Sequence, residues 1–150
     1  MNFTAIIASV LLTGYVYAQE DVKILNAIGM VESGNNPRAV GDRGKAYGAY
    51  QMHYIAWVDA NMQLMREGKD TYSFSEWRKP MVQDIVGLAY IRSIRGKLKS
   101  AGIPNPTCNQ IALCWNLGFT KAHRINFNSL LTSSDYAERV QNIYKQNKTK

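Results

Sequence analysis

Residues 27–52 read AIGMVESGNNPRAVGDRGKAYGAYQM, and the fold turns on how this stretch is divided. Its first part closes an amphipathic helix: Val22, Leu25, Ile28 and Val31 recur at helical spacing from Asp21 to Glu32, and Gly34 followed by Pro37 ends the run. On that helix positions 25, 28 and 32 share a face, so Glu32 is expected on the apolar stripe. A carboxylate there loses solvation, and it also meets the negative end of the helix dipole in the last turn. Both effects raise its pKa toward the range of a general acid. A surface Glu32 paired with Arg38 or Arg43 is the plain alternative.

The second part, from Gly34 to Met52, is a loop with room for a short hairpin. Five of the eleven glycines of the chain lie between Gly29 and Gly48. Gly41-Asp42-Arg43-Gly44 and Tyr47-Gly48-Ala49-Tyr50-Gln51-Met52 join permissive glycines to side chains suited to a cleft wall: a carboxylate, two tyrosines and an amide. The spacing fits neither a dinucleotide fingerprint nor a phosphate loop. An acid facing aromatic and amide groups suits a neutral, hydroxyl-rich ligand, and glycan cleavage is the matching chemistry.

Outward from this stretch the chain reads as helix. Tyr54 to Arg66 forms a second helix. Ser75 caps a third helix that begins near Glu76, with Pro80 early enough to start its main body, which runs to about Ser100 before Gly102 and Pro104. Thr107 caps a fourth helix, which ends at Leu117 before Gly118, and Ser133 or Ser134 opens a last one that frays into KQNKTK. With 150 residues and 46% apolar content the chain has material for one core. The expected class is therefore a predominantly α-helical α+β domain, residues 19–150, with a small loop or hairpin lobe.

Ahead of that domain, residues 1–18 carry no charged side chain, and Ala5 to Val16 is an apolar run too short to span a bilayer. With Val16-Tyr17-Ala18 after it, the segment reads as a secretory signal cut before Gln19. An uncleaved membrane anchor and a buried first helix are the alternatives. The net charge of +7 belongs to the remaining chain and favours anionic polymers, of which the cell wall best fits an exported protein. The run Arg92 to Lys99 is most simply a solvated helix face. Cys108 and Cys114 are six apart on one helix and point to different sides, so they suggest neither a disulfide nor, with only His53 and His123, a metal site. No cofactor is expected.

Four segments carry a resemblance. Val31-Glu32-Ser33-Gly34-Asn35-Asn36-Pro37, Tyr47-Gly48-Ala49-Tyr50-Gln51-Met52, Ile111-Ala112-Leu113-Cys114-Trp115-Asn116-Leu117-Gly118 and Tyr136-Ala137-Glu138-Arg139-Val140 resemble, in order, the motifs E-S-x-x-x-P, G-L-M-Q, A-x-x-Y-N-x-G and Y-x-x-x-V of soluble lytic transglycosylases and goose-type lysozymes. The resemblance implies a lysozyme-like fold and cleavage of the β-1,4 bond between MurNAc and GlcNAc in peptidoglycan. It makes Glu32 the catalytic acid, with Ser33 beside it in either a catalytic or a local bonding role. It places Gln51 and Asn116 in the cleft and Tyr136 near the catalytic carboxyl. Ala49-Tyr50 and Cys114-Trp115 depart from the pattern and bear on subsite shape.

Asp42 separates two mechanisms. A hydrolase of the inverting kind needs a second carboxylate to activate water, and Gly41-Asp42-Arg43-Gly44 resembles the segment that carries one in goose-type lysozymes. A lytic transglycosylase needs none, because the C6 hydroxyl of the sugar closes an anhydro ring. His53 stands where goose-type enzymes can carry another Asp, which tilts the expectation to the transglycosylase, and Asp42 is also ordinary turn chemistry. Among the aromatic residues Tyr50 and Tyr136 are expected to face the cleft, and Trp57, Trp77 and Trp115 to be mostly buried. The expected partners are peptidoglycan strands, beside secretion or conjugation machinery or phage lysis components, with no nucleic acid and a monomeric state. Two rival classes remain at this level: a non-catalytic glycan binder, and a cationic binder of membranes or nucleic acid that would be indifferent to Glu32.

Overall fold

The computed structural model describes residues 3–147, with side chains from Ala18 onward. Six helices make up most of it: α1 (Phe3–Ser33), α2 (Tyr54–Arg66), α3 (Pro80–Ser100), α4 (Cys108–Leu117), α5 (Phe119–Arg124) and α6 (Tyr136–Gln146). The only sheet among the described residues is a hairpin of β1 (Val40–Gly41) and β2 (Ala46–Tyr47), paired Val40 to Tyr47 and Gly41 to Ala46. The fold is thus helix-dominated α+β.

The helices end where local chemistry ends them. Thr107 and Gln110 form a reciprocal capping box at the start of α4. Pro80 occupies the first turn of α3, where its missing N–H costs nothing. Three expectations need correction. The third helix begins at Pro80 and not near Glu76: Phe74–Arg78 is a separate 3-10 turn, capped by Ser73 in place of Ser75. The helix expected to begin at Asp21 is the second half of the longer α1, and the leader reading of residues 1–18 falls almost wholly outside the described side chains. The apolar stripe is also rotated: Val22 is 53% exposed, while Ile24, Leu25, Ala27 and Ile28 are buried. No helix among the described residues is long and apolar enough to cross a membrane.

α1 runs through the middle of the packing, against α3 on one side and α6 on the other, with α4 closing on α6 and α2 on α3. Its buried face, together with Val86, Ile91 and Ile94 of α3, Ile111 and Cys114 of α4 and Val140 of α6, makes one continuous core. Trp57 and Trp77 belong to it, at 3% and 8% exposure, as expected. The hairpin lobe is joined to this body through Tyr47, whose ring lies 4.9 Å from Trp77 and 5.4 Å from Phe74. The turn at its tip is left-handed at both central residues, Asp42 (φ 44°) and Arg43 (φ 54°), with Gly44 N–H closing on Gly41 C=O at 2.9 Å.

Candidate functional site

The end of α1, the loop after it, the start of α2 and the end of α4 surround a cleft of about 470 Å³. Glu32, Asp42, Gln51 and Asn116 all line it, although they stand on four separate segments of the sequence. Tyr136, from a fifth, reaches the same point from behind: it is 7% exposed, and its hydroxyl donates to Glu32 Oε1 at 2.7 Å.

Glu32 is half-buried at the end of α1. Loss of solvation pushes its pKa above the ordinary carboxylate value, against the lowering effects of the Tyr136 hydrogen bond and the Arg139 charge. Burial and the adjoining carboxylate likewise drive the Tyr136 phenol well above its usual value, so it stays a donor. The pair holds one acid in one orientation, with its pKa shifted upward by burial. That shift is in the direction a general acid needs.

The opposite wall is the hairpin loop, and two sets of contacts fix it. Ser33 Oγ donates to Ala49 C=O at 2.7 Å and accepts from Asn36 N–H at 2.9 Å, so it ties the helix end to the loop and does not line the cleft. Gln83 of α3, 3% exposed, accepts from Ala49 N–H at 2.7 Å and donates to Pro37 C=O at 2.8 Å and Trp77 C=O at 2.6 Å. Its amide lies so close to Gly48 (φ 76°) that a Cβ there would stand 2.5 Å from Gln83 Oε1. Gln51, itself left-handed (φ 46°), folds back to donate to Gly48 C=O at 2.9 Å. Backbone strain of this sort gathers where a loop is held to a set shape.

Tyr50 is placed differently from expectation. It is buried, points away from the cleft, and donates to Asp84 Oδ1 on α3 at 2.6 Å. The turn at Gly48 and Gln51 reverses the chain around it, so the tyrosine enters the core and Gln51 the cleft. Trp115 makes the opposite correction: it is half-buried and lines the cleft, edge-on to Tyr90 with ring centroids 5.0 Å apart. It provides the aromatic wall that the loop tyrosine does not.

His53 also lines the cleft, with Nε2 3.4 Å from Asp42 Oδ2. Both are more than half exposed, so the pair contributes little to stability. Chemically it sets an imidazole and a carboxylate side by side on the wall facing Glu32. The sequence marks both residues without pairing them, because the contact depends on the left-handed turn at Asp42. Among the described residues no group of three or more His, Cys, Asp or Glu side chains could hold a metal ion. No protein-family model, curated protein or solved structure matches the chain.

Proposed function

We propose that this chain is an exported, monomeric muramidase with a lysozyme-like fold, which cleaves the β-1,4 bond between MurNAc and GlcNAc as a lytic transglycosylase. The observation that carries the reading is the convergence of sequence-distant motif residues: Glu32, Gln51 and Asn116 line one cleft, and Tyr136 bonds from behind to the half-buried Glu32, whose pKa burial raises. The enclosed volume and its wall of indole, amide and carboxylate fit sugar rings.

Glu32 protonates the glycosidic oxygen, which leaves as the O4 hydroxyl of GlcNAc. The C6 hydroxyl of MurNAc then bonds to C1 of the same ring, and its proton passes to the Glu32 carboxylate. The acid is regenerated and a 1,6-anhydro end is left. Tyr136 steadies the carboxylate between the two proton transfers.

A second reading rests on the Asp42–His53 pair in the same cleft. There the pair takes the proton from a water that attacks C1, and the product is a reducing MurNAc end. Mass spectrometry of muropeptides released from purified peptidoglycan distinguishes the two. Anhydro ends, unchanged in kind by Asp42→Asn, are the expected result; reducing ends lost in Asp42→Asn would establish the hydrolase. Cleavage by Glu32→Gln at the wild-type rate would dispose of both.

A further inference from the structure

The seam that forms the cleft does not stop at it. On α2, Ala56 lines the cleft, and Asp59, Gln63 and Arg66 come at successive turns of the same face. On α3 the corresponding series is Tyr90, Ser93 and Lys97, and after Gly118 the chain continues into Phe119 and His123 of α5. A second hollow, of about 570 Å³, opens between these three elements. Along α2 seven residues, about 10 Å, separate Gln63 from Ala56 of the cleft, while on α3 Ser93 stands one turn from Tyr90.

Its lining is cationic and open. Arg66 has no ion pair or hydrogen bond among the described residues, and Lys97 reaches across to Asp59 at 2.7 Å, so no carboxylate lines the hollow itself. His123 stacks on Phe119 with centroids 5.9 Å apart. Glu67, behind the wall, is already saturated by Arg92 at 2.7 and 2.9 Å and by Lys69 at 2.9 Å.

Two further observations mark it as a place for a ligand. Ser93 lines the hollow at 4% exposure, and its hydroxyl has no hydrogen-bond partner among the described residues. No fully buried side-chain polar atom among the described residues lacks a partner, so the Ser93 oxygen is open to solvent, and a ligand in the hollow that it lines can bond it in place of water. Gly96, one turn further on, lies inside the 21-residue α3, where glycine weakens the helix relative to alanine. A Cβ there would have no atom within 4 Å, so no packing contact explains the glycine. Its effect is to leave that part of the hollow without a side chain.

We infer that the hollow around Arg66, Ser93, Gly96 and Lys97 binds a carboxylate of an acidic peptide carried by the ligand in the cleft, that is, the peptide stem of a glycan strand. This rests on the function proposed above. About three extended residues span the 10 Å from the cleft, which matches the length of a stem. Arg66 meets the carboxylate, Lys97 being held by Asp59, and the Ser93 hydroxyl donates to it.

The test titrates the full chain with the stem tetrapeptide L-Ala-γ-D-Glu-L-Lys-D-Ala and with its carboxyl-amidated form, monitoring amide resonances by NMR. The carboxylate form should shift Gly96 and its neighbours, and the amidated form should not. Arg66→Gln should weaken binding about tenfold, the loss of one charge-assisted hydrogen bond. Gly96→Phe should block the hollow, with Gly96→Ala as a folding control. In parallel, each variant should cleave stem-free glycan like wild type and lose any preference for stem-bearing strands. Peptide binding without glycan cleavage would keep this site and remove the muramidase reading. Glycan cleavage with no shift at Gly96, or variants that bind like wild type, would overturn the site alone.

Discussion

Replacing Gln83 by leucine tests whether the cleft wall is held by one buried amide. The side chain is close to leucine in size, so the cavity term is small. What goes is three hydrogen bonds, of 2.7, 2.8 and 2.6 Å, to Ala49 N–H, Pro37 C=O and Trp77 C=O. The Ala49 and Trp77 groups are buried and would be left without a partner, whereas Pro37 is half-buried and within reach of water. With about 1–2 kcal/mol for each buried orphan and little for the third, the loss comes to about 2–4 kcal/mol. Urea unfolding monitored by circular dichroism should show the midpoint fall with an unchanged slope. Because Ala49 lies between the two strained turns that set Asp42 and Gln51, cleavage measured where the variant is fully folded should fall as well. A loss under about 1 kcal/mol, or full activity in a destabilised protein, would refute the argument that Gln83 shapes the wall.

Glu32→Gln should lower cleavage by about 10²–10⁴-fold, the usual worth of a general acid. It should also alter stability in a pH-dependent way: the folded-state pKa is raised above 4.5, so wild type loses stability relative to the variant as pH climbs from 4.5 through that higher value. Thermal melts across this range give the sign directly. Tyr136→Phe removes a bond that favours the ionised acid, so the alkaline limb of the pH–rate profile should move upward and the maximal rate fall about 10–100-fold. Arg95→Met should cost about 3–5 kcal/mol at neutral pH, since Arg95 Nε meets the 3%-exposed Asp21 at 2.7 Å. The cost should shrink in acid, where burial already favours the protonated Asp21; equal losses in mildly acidic and neutral buffer in denaturant titrations would contradict it.

The parts legible in the sequence are those that report on a single element. The bounds of α2, α3 and α4 come from apolar period, Pro80, Thr107 and Gly118, and the structure places them at Tyr54–Arg66, Pro80–Ser100 and Cys108–Leu117. α5 escapes such reading because six residues carry too little periodicity, and it enters directly from Gly118 with only the turn residue between. The hairpin is legible only as a loop with room for one, since two residues per strand show no alternation.

The cleft divides along the same line. Glu32 is visible because a helix face fixes its side, and Gln51 and Asn116 because their motifs are ordered along the chain. Tyr50 and Trp115 exchange their expected places because direction, in one case, depends on left-handed turns at Gly48 and Gln51 and, in the other, on a neighbour, Tyr90, from a different helix. Gln83 is the limiting case. Its partners are backbone groups, two of them 34 and 46 residues upstream, and backbone groups leave no trace in residue identity. A glutamine beside Val82, in a helix that buries Val86 and Ile91, still carries a signal, because a buried amide has to find partners. A polar residue on an apolar face thus asks the same question at position 83 as at position 32. At 83 the answer is a satisfied network that sets the wall, and at 32 a carboxyl with an upward-shifted pKa that faces it.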